Sequence, residues 1–206
     1  MNQNKHNAGT GHTQRVVRST KSQTPRASGE TTLLKSESEA IELLIKMGAS
    51  EHLINHVRLV GEAAEILLQT CEAMNVPIDS AFVKVAVAVH DIGKIVHFHE
   101  MSAPGSQHEP RGEKILLAQG VSPQIARCCL SHARWHEMEC SLEELIVALA
   151  DTLWKGKRID ALELEVIDNI ARILRKDRWD VFPELDSQFE AIANEGGNRL
   201  SRSHSG

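Results

Sequence analysis

Apolar residues in the middle of this chain recur at alternating spacings of three and four residues, and this period constrains the fold more than any other feature. Ser50 is a common type of helix N-cap residue, and an apolar stripe follows it at Leu53, Val57, Val60, Ala64 and Leu67. A second stripe follows Asp160, at Leu164, Ile167, Ala171 and Leu174. Residues at these spacings lie on one face of an α-helix. The sequence therefore predicts amphipathic helices that each bury one side.

Signals for helix starts recur along the chain and extend this prediction. Ser122 and Pro123 form a cap followed by proline at the first helical position. Ser141 and Glu144 have the spacing of a capping box ahead of another apolar run. A further helix is predicted from about residue 36 to residue 47. We therefore predict an all-α fold, a bundle of helices.

The segment from Val83 to Val89 conflicts with this pattern, because β-branched residues alternate along it as they do in a strand. Judged locally, a strand is favoured. However, Asp79 can cap a helix and Gly93 can end it, and a helix at the centre of a bundle is apolar on all sides. We therefore predict a helix here.

The chain of 206 residues is long enough for one domain with a sizeable core. Residues 1–34 are rich in Asn, Gln, Ser, Thr and Gly, so they cannot bury enough apolar surface to offset the loss of chain entropy. Residues 196–206 have a similar composition. We predict a disordered N-terminal arm at 1–34, a folded domain at 35–195 and a disordered C-terminal tail at 196–206.

Charge and composition narrow the range of partners. A net charge of −5, an aromatic content of 3% and the absence of tyrosine argue against a nucleic-acid partner. No apolar run approaches the roughly 20 residues that a membrane span requires. The four cysteines contain no Cys-x-x-Cys pair and are expected to be reduced thiols. We therefore predict a cytoplasmic protein without a membrane partner, either a monomer or a homodimer.

Histidine is unusually frequent, with 11 residues, most of them between His52 and His136. Residues of the types that bind metals occur on at least four predicted helical elements: His56, His90, Asp91, His108, His132 and Asp151. Imidazole and carboxylate together suit Fe, Mn, Co, Ni or Zn better than Ca or Mg. Helix bundles build metal sites from ligands on facing helices, so ligands scattered along the sequence are expected. The sequence therefore predicts a site for one or two divalent transition metal ions.

His56, the dyad His90-Asp91 and Asp151 resemble, in order and spacing, the H…HD…D motif of the HD-domain metal-dependent phosphohydrolases. The additional His108 and His132 resemble the branch with a second metal. The resemblance implies that the helical bundle holds one ion with the four motif residues. It implies that a second ion lies between Asp91 and the two additional histidines, with a water or hydroxide between the ions as nucleophile. The Gly-Tyr-Pro motif of the cyclic-dinucleotide phosphodiesterases is absent.

The predicted function is hydrolysis of a phosphoester or phosphoanhydride bond in a nucleotide or similar small molecule. Asp91 and Lys94 are the predicted catalytic residues, since Lys94 follows the dyad and can hold a phosphate or stabilise transition-state charge. Other cationic side chains near the motif are further candidates for phosphate binding: Arg111, Arg134, Lys155, Lys157 and Arg158. Trp135 or Trp154 could stack on a base.

Two other functions are compatible with the same ligands. Some proteins of this fold hold a mixed-valent di-iron centre and use oxygen to cleave carbon–carbon or carbon–phosphorus bonds. Others serve as non-catalytic nucleotide-sensing domains, although such relatives usually lose some of the ligands. The cationic side chains near the motif favour the phosphohydrolase.

Overall fold

The computed structural model describes Met1 and residues 34–203. Within this part of the chain the backbone forms α-helices and three 3-10 turns, and it contains no β-strand. The α-helices are α1 (Glu37–Lys46), α2 (Glu51–Ala73), α3 (Ser80–Val89), α4 (His108–Ala118), α5 (Pro123–Arg134), α6 (Leu142–Leu153), α7 (Asp160–Leu174), α8 (Arg178–Asn194) and α9 (Gly196–Ser203). The 3-10 turns are Ile92–Ile95, Phe98–Met101 and Trp135–Glu137. The predicted all-α class is confirmed.

The predicted helix starts coincide with side-chain caps. The hydroxyls of Ser36, Ser50, Ser122 and Ser141 each accept a hydrogen bond from the backbone N–H three residues on. At Ser141 the capping box is complete, because the Glu144 carboxylate accepts the backbone N–H of Ser141 at 3.0 Å. Each cap satisfies a helix N–H that has no partner within its own helix.

The segment from Val83 to Val89 is helical, as predicted, and lies within α3. The Asp79 carboxylate accepts the N–H of Phe82 at 2.9 Å and starts the helix. Helix α3 packs against α1, α2, α5 and α6, so apolar side chains are buried around it. Burial on almost every side explains why all residues of the segment except Lys84 are apolar despite its strand-like pattern. Lys84 is 40% exposed and pairs with Glu65 on α2.

Helices α2, α3 and α6 form the centre of the domain, with α4 and α5 packed together beside them and α7 and α8 on another side. The predicted stripe of α2 is buried, and α6 is buried continuously from Leu145 to Ala150. The apolar runs of α3 and α6 end at His90 and Asp151, which face His56 on α2. The packing of the three central helices therefore brings polar residues together at one end of the core.

The prediction of a disordered C-terminal tail is wrong for residues 196–203, which form helix α9. The Arg199 guanidinium is buried, donates to the carbonyl of Ile192 at 2.8 Å and lies 3.6 Å from Glu62 on α2. Arg202 pairs with the same Glu62 at 2.6 Å. The polar composition concealed this helix, because ion pairs with α2 and a hydrogen bond to α8 hold it rather than an apolar stripe.

Other predictions at the ends of the chain lie outside the described residues. The predicted N-terminal arm lies outside them except for Met1 and Leu34, and the last three residues of the predicted tail, 204–206, lie outside them as well. The four cysteines are free thiols, as predicted, and three of them are buried. Among the described helices, none has the length and apolar character that a membrane crossing requires.

Candidate metal centre

The carboxylate of Asp91 lies at the middle of a cluster of imidazole rings, and its side chain is 1% exposed. One oxygen, Oδ2, is 2.9 Å from Nε2 of His56 and 3.4 Å from Nε2 of His90. The other oxygen, Oδ1, is 3.2 Å from Nε2 of His108 and 3.8 Å from Nε2 of His132. Each oxygen of Asp91 therefore faces a different pair of histidines.

Asp151 completes the first of these groups. Its Oδ1 lies 3.7 Å from Nε2 of His56 and 3.7 Å from Nε2 of His90. The structure therefore brings all the predicted ligands together and divides them into two groups that share Asp91. These groups match the two ligand sets that the resemblance to HD-domain proteins implies.

The backbone selects the ring nitrogen that each central histidine presents. Nδ1 of His90 lies 2.8 Å from the carbonyl of Val87, and Nδ1 of His132 lies 3.0 Å from the carbonyl of Cys128. A carbonyl oxygen only accepts, so each Nδ1 carries the proton. In the neutral ring, Nε2 then carries no proton, and its lone pair is directed at the carboxylates. An unprotonated ring nitrogen is what a histidine needs to bind a metal ion.

His108 achieves the same orientation with a carboxylate. Its Nδ1 lies 2.5 Å from Oε2 of Glu100, whose side chain is buried in the turn before α4. Glu100 was not among the predicted residues, because it lies outside the H…HD…D motif and the two additional histidines. The available signal was an acidic residue in the loop that joins the dyad to His108, since carboxylates commonly orient metal-binding histidines.

Several polar atoms of the cluster are buried without a hydrogen-bond partner, as is expected of a site that binds an ion. Buried polar atoms without a hydrogen-bond partner include Nε2 of His56, His90 and His108 and Oδ1 of Asp91. Such atoms are rare in proteins, and here several converge on one point. A cation among them would satisfy the lone pairs and the buried negative charge together. The residues therefore fit one or two divalent transition metal ions.

The electrostatics of the cluster agree with this interpretation. Burial opposes ionisation of Asp91, but His90, His108 and His56 outweigh it and hold the carboxyl pKa well below its ordinary value. Burial would also lower the pKa of His90, but Asp91 and Asp151 raise it to about 10. Burial lowers the pKa of His132 to about 4, and it lowers that of His56. A proton on His90 thus occupies the position for which a metal ion would compete.

Two of the predicted phosphate-binding lysines lie at the centre. Lys94, in the first 3-10 turn, has Nζ 2.6 Å from Oδ2 of Asp91. Lys155, just beyond α6, has Nζ 3.4 Å from Oδ2 of Asp151. Their contacts place both ammonium groups directly beside candidate ligands.

The predicted arginines have other contacts. Arg134 pairs with Glu109 at 2.5 Å, next to His108 in the chain. Arg158 pairs with Glu163 at 2.5 Å and with Asp186 at 2.5 Å, and so joins α7 to α8. Arg158 therefore links α7 to α8, and its contact with phosphate stays a prediction.

The remaining candidates differ in how exposed their side chains are. Arg111 and Lys157 are exposed. Trp154 is buried and its ring meets the ring of His56 edge-on, with centroids 5.1 Å apart. The indole therefore supports a candidate ligand and is not free to stack on a base, whereas Trp135 is half-buried.

Replacing His132 with alanine is expected to remove about one metal equivalent per chain. The second group would keep only Asp91 and His108, while the first group keeps all its members. Metal analysis of the purified variant measures this loss. The matched control is His136→Ala, because His136 lies near His132 in the chain but its side chain is 56% exposed. Unchanged metal content in His132→Ala would show that no second ion binds there.

Comparison with known proteins identifies the family of the chain and a curated relative of part of it. The family model of the HD domain matches residues 50–154, just over half of the chain. The chain is 29% identical over 152 residues to a tRNA (cytidine(56)-2'-O)-methyltransferase of Thermoplasma volcanium, a match that covers 66% of this chain and 41% of the relative. The chain thus spans less than half the length of that relative. No solved structure matches the chain.

Proposed function

Since the chain belongs to the HD domain family, we propose that it is a metal-dependent phosphohydrolase. Its substrate would be a nucleotide or a similar small phosphorylated molecule, and its reaction the hydrolysis of a phosphoester or phosphoanhydride bond. The oxygenase and the nucleotide-sensing domain are the alternatives that the experiment below separates from it.

The observation that carries the proposal is the division of ligands around Asp91. Each carboxylate oxygen faces two imidazole nitrogens, and three of those four nitrogens are buried without a hydrogen-bond partner. Ions bound to the two groups would lower the pKa of water and withdraw charge from a phosphoryl group in an in-line displacement. Asp91 would fix the position of one group of ligands relative to the other, since it belongs to both.

The neighbouring lysines favour an anionic substrate. The ammonium group of Lys94 lies 2.6 Å from Asp91, with 15% of the side chain exposed, so it can contact a ligand at the centre. It would bind a phosphoryl oxygen and stabilise the negative charge that develops there. Lys155 is more exposed and lies beside Asp151, where it can bind a second phosphate of a nucleotide. The net charge of −5 does not oppose this, because the cationic groups are local to the centre.

The activity in the name of the curated relative is not part of this proposal. Methyl transfer to tRNA belongs to a protein of which this chain covers 41%. The residues that converge in this chain fit a metal centre, which supports the hydrolysis of phosphate bonds.

Replacing Lys94 with glutamine is expected to lower kcat by about a hundred-fold or more, because one donor to the developing charge is lost. Metal content should stay unchanged, since an ammonium group is not a ligand. Steady-state kinetics and metal analysis on the same preparation measure both quantities. The control is Lys114→Gln, an exposed lysine of α4 with the same change of charge. Equal kcat in wild type and Lys94→Gln would exclude Lys94 from the reaction.

The proposal is tested with protein purified without chelator and supplied with Mn²⁺ or Fe²⁺. The substrates run from mononucleotides to cyclic dinucleotides and dinucleoside polyphosphates, with products separated by chromatography and Asp91→Ala run in parallel. Hydrolysis by the wild type alone supports the phosphohydrolase. Oxygen uptake with bound iron and no hydrolysis would replace it with the oxygenase. Nucleotide binding without turnover would replace it with a sensing domain.

A further inference from the structure

Glu100 distinguishes His108 from the other oriented histidines of the centre. His90 and His132 direct Nδ1 at main-chain carbonyls, which are neutral acceptors. His108 directs Nδ1 at the carboxylate of Glu100, at 2.5 Å. A hydrogen bond from an N–H to a charged oxygen is roughly twice as strong as one to a neutral oxygen. The two ligand groups therefore differ in how their histidines are supported.

The surroundings of Glu100 hold its carboxylate in one place. Its Oε2 accepts the backbone N–H of His108 at 3.1 Å, and its Oε1 accepts that of Gln107 at 3.2 Å. Gly105 packs so closely that a Cβ at that position would lie 2.4–2.6 Å from the Glu100 side chain. Glu100 is 1% exposed at the side chain, so water does not compete for these contacts. The loop before α4 is thus folded around one carboxylate, whose closest side-chain partner is the His108 ring at 2.5 Å. The exposed imidazole of His99 lies farther away, with Nε2 3.7 Å from Oε1.

We propose that Glu100 is the positioning residue of the second ion site, the one formed by Asp91, His108 and His132. The carboxylate keeps a proton on Nδ1 of His108, fixes the ring plane and makes Nε2 a stronger donor to a divalent transition ion. Partners of this kind commonly change metal affinity by about 10–100-fold. The inference rests on the proposed function only in requiring that this group of residues binds an ion.

If the proposal is right, replacing Glu100 weakens binding of the second ion but not of the first. No hydrogen bond or ion pair joins Glu100 to His56, His90 or Asp151, and among the described residues His108 alone links it to the shared Asp91. We therefore expect the first ion to bind with little dependence on Glu100. The loop containing Glu100 also carries Phe98, which is 75% exposed. Through Glu100, occupancy of the second site is tied to the conformation of this exposed loop, whereas occupancy of the first site is not.

The test is a titration of the metal-free full chain with Co²⁺, followed by equilibrium dialysis and by the visible absorption of bound Co²⁺. In Glu100→Gln the charge is lost and the size is kept. We expect the first equivalent to bind as in the wild type and the second to bind about 10–100-fold more weakly. Glu100→Ala should show the same selective loss.

The matched control is Glu144→Gln. Glu144 is also a buried carboxylate that accepts a backbone N–H, but it lies in the first turn of α6 and pairs with Arg127 of α5. Both Co²⁺ equivalents should bind normally to this variant, even if its melting temperature falls.

Other outcomes overturn the proposal. If Glu100 only supports the loop, its variants will melt at a lower temperature while the folded protein binds the second Co²⁺ with wild-type affinity. A wild type that binds fewer than two equivalents also overturns it, but leaves a hydrolase with one ion possible. A wild type that binds two equivalents and hydrolyses nothing removes the proposed function and leaves the role of Glu100 to be decided by its variants.

Discussion

Replacing Asp91 with alanine is expected to abolish binding at both ion sites and to reduce turnover to background. Asp91 belongs to both ligand groups, so its loss leaves His108 and His132 alone on one side. On the other side only His56, His90 and Asp151 remain, without the carboxylate that lies closest to both rings. Metal analysis and the nucleotide assay on the same preparation measure the two effects.

The helical circular dichroism of Asp91→Ala should stay close to that of the wild type, because the Asp91 side chain caps no helix. Asp91→Asn tests charge apart from shape and should also lose metal, since an amide is a poor substitute for a bridging carboxylate. The control is Asp160→Ala, an exposed aspartate at the start of α7. Activity retained in Asp91→Ala would contradict the assignment of the whole centre.

Replacing Gly93 with alanine is expected to destabilise the fold by about 3 kcal/mol and to remove the second ion site. A Cβ at this position would lie 1.9 Å from the carbonyl oxygen of His108 and 2.8 Å from the backbone nitrogen of Gly112. Both atoms belong to the backbone of α4, so no side-chain rotation relieves the overlap. The turn after the dyad must then separate from α4, which moves His108 away from Asp91.

Denaturant unfolding and metal analysis check this result. The matched control is Gly61→Ala in the middle of α2, where a Cβ would meet only Oε1 of Glu37, at an ordinary 3.6 Å. That variant should be as stable as the wild type or slightly more stable, because alanine favours a helix over glycine by about 1 kcal/mol. An unchanged free energy of unfolding in Gly93→Ala would show that the turn and α4 separate without cost.

Features that belong to a single helix, such as its cap and its buried face, could be predicted from the sequence. Caps at Ser50, Ser122 and Ser141 and the stripe on α2 were predicted correctly, because a cap or an amphipathic face depends on residues at most a few turns apart. The family could also be predicted, since its motif is an order of residue types along the chain and the HD domain model matches it. The metal ligands themselves stay a prediction, although the structure brings all of them together.

The tertiary structure decided which residues act on one another across long stretches of chain. Gly93 was expected to end a helix, but glycine is needed at this position because the backbone of α4 packs too closely for a Cβ. Of the predicted cations, Lys94 and Lys155 lie at the ligands and Arg158 pairs elsewhere.

Glu100 and α9 depend in the same way on partners that no local pattern identifies. By itself, the sequence determined the helices that have a cap or an apolar stripe and the chemical types available to the centre, because these follow from neighbours along the chain. Only the tertiary structure determined the pairing of Glu100 with His108 and which pair of histidines each oxygen of Asp91 faces. Such contacts depend on where packing of the core places the helix ends.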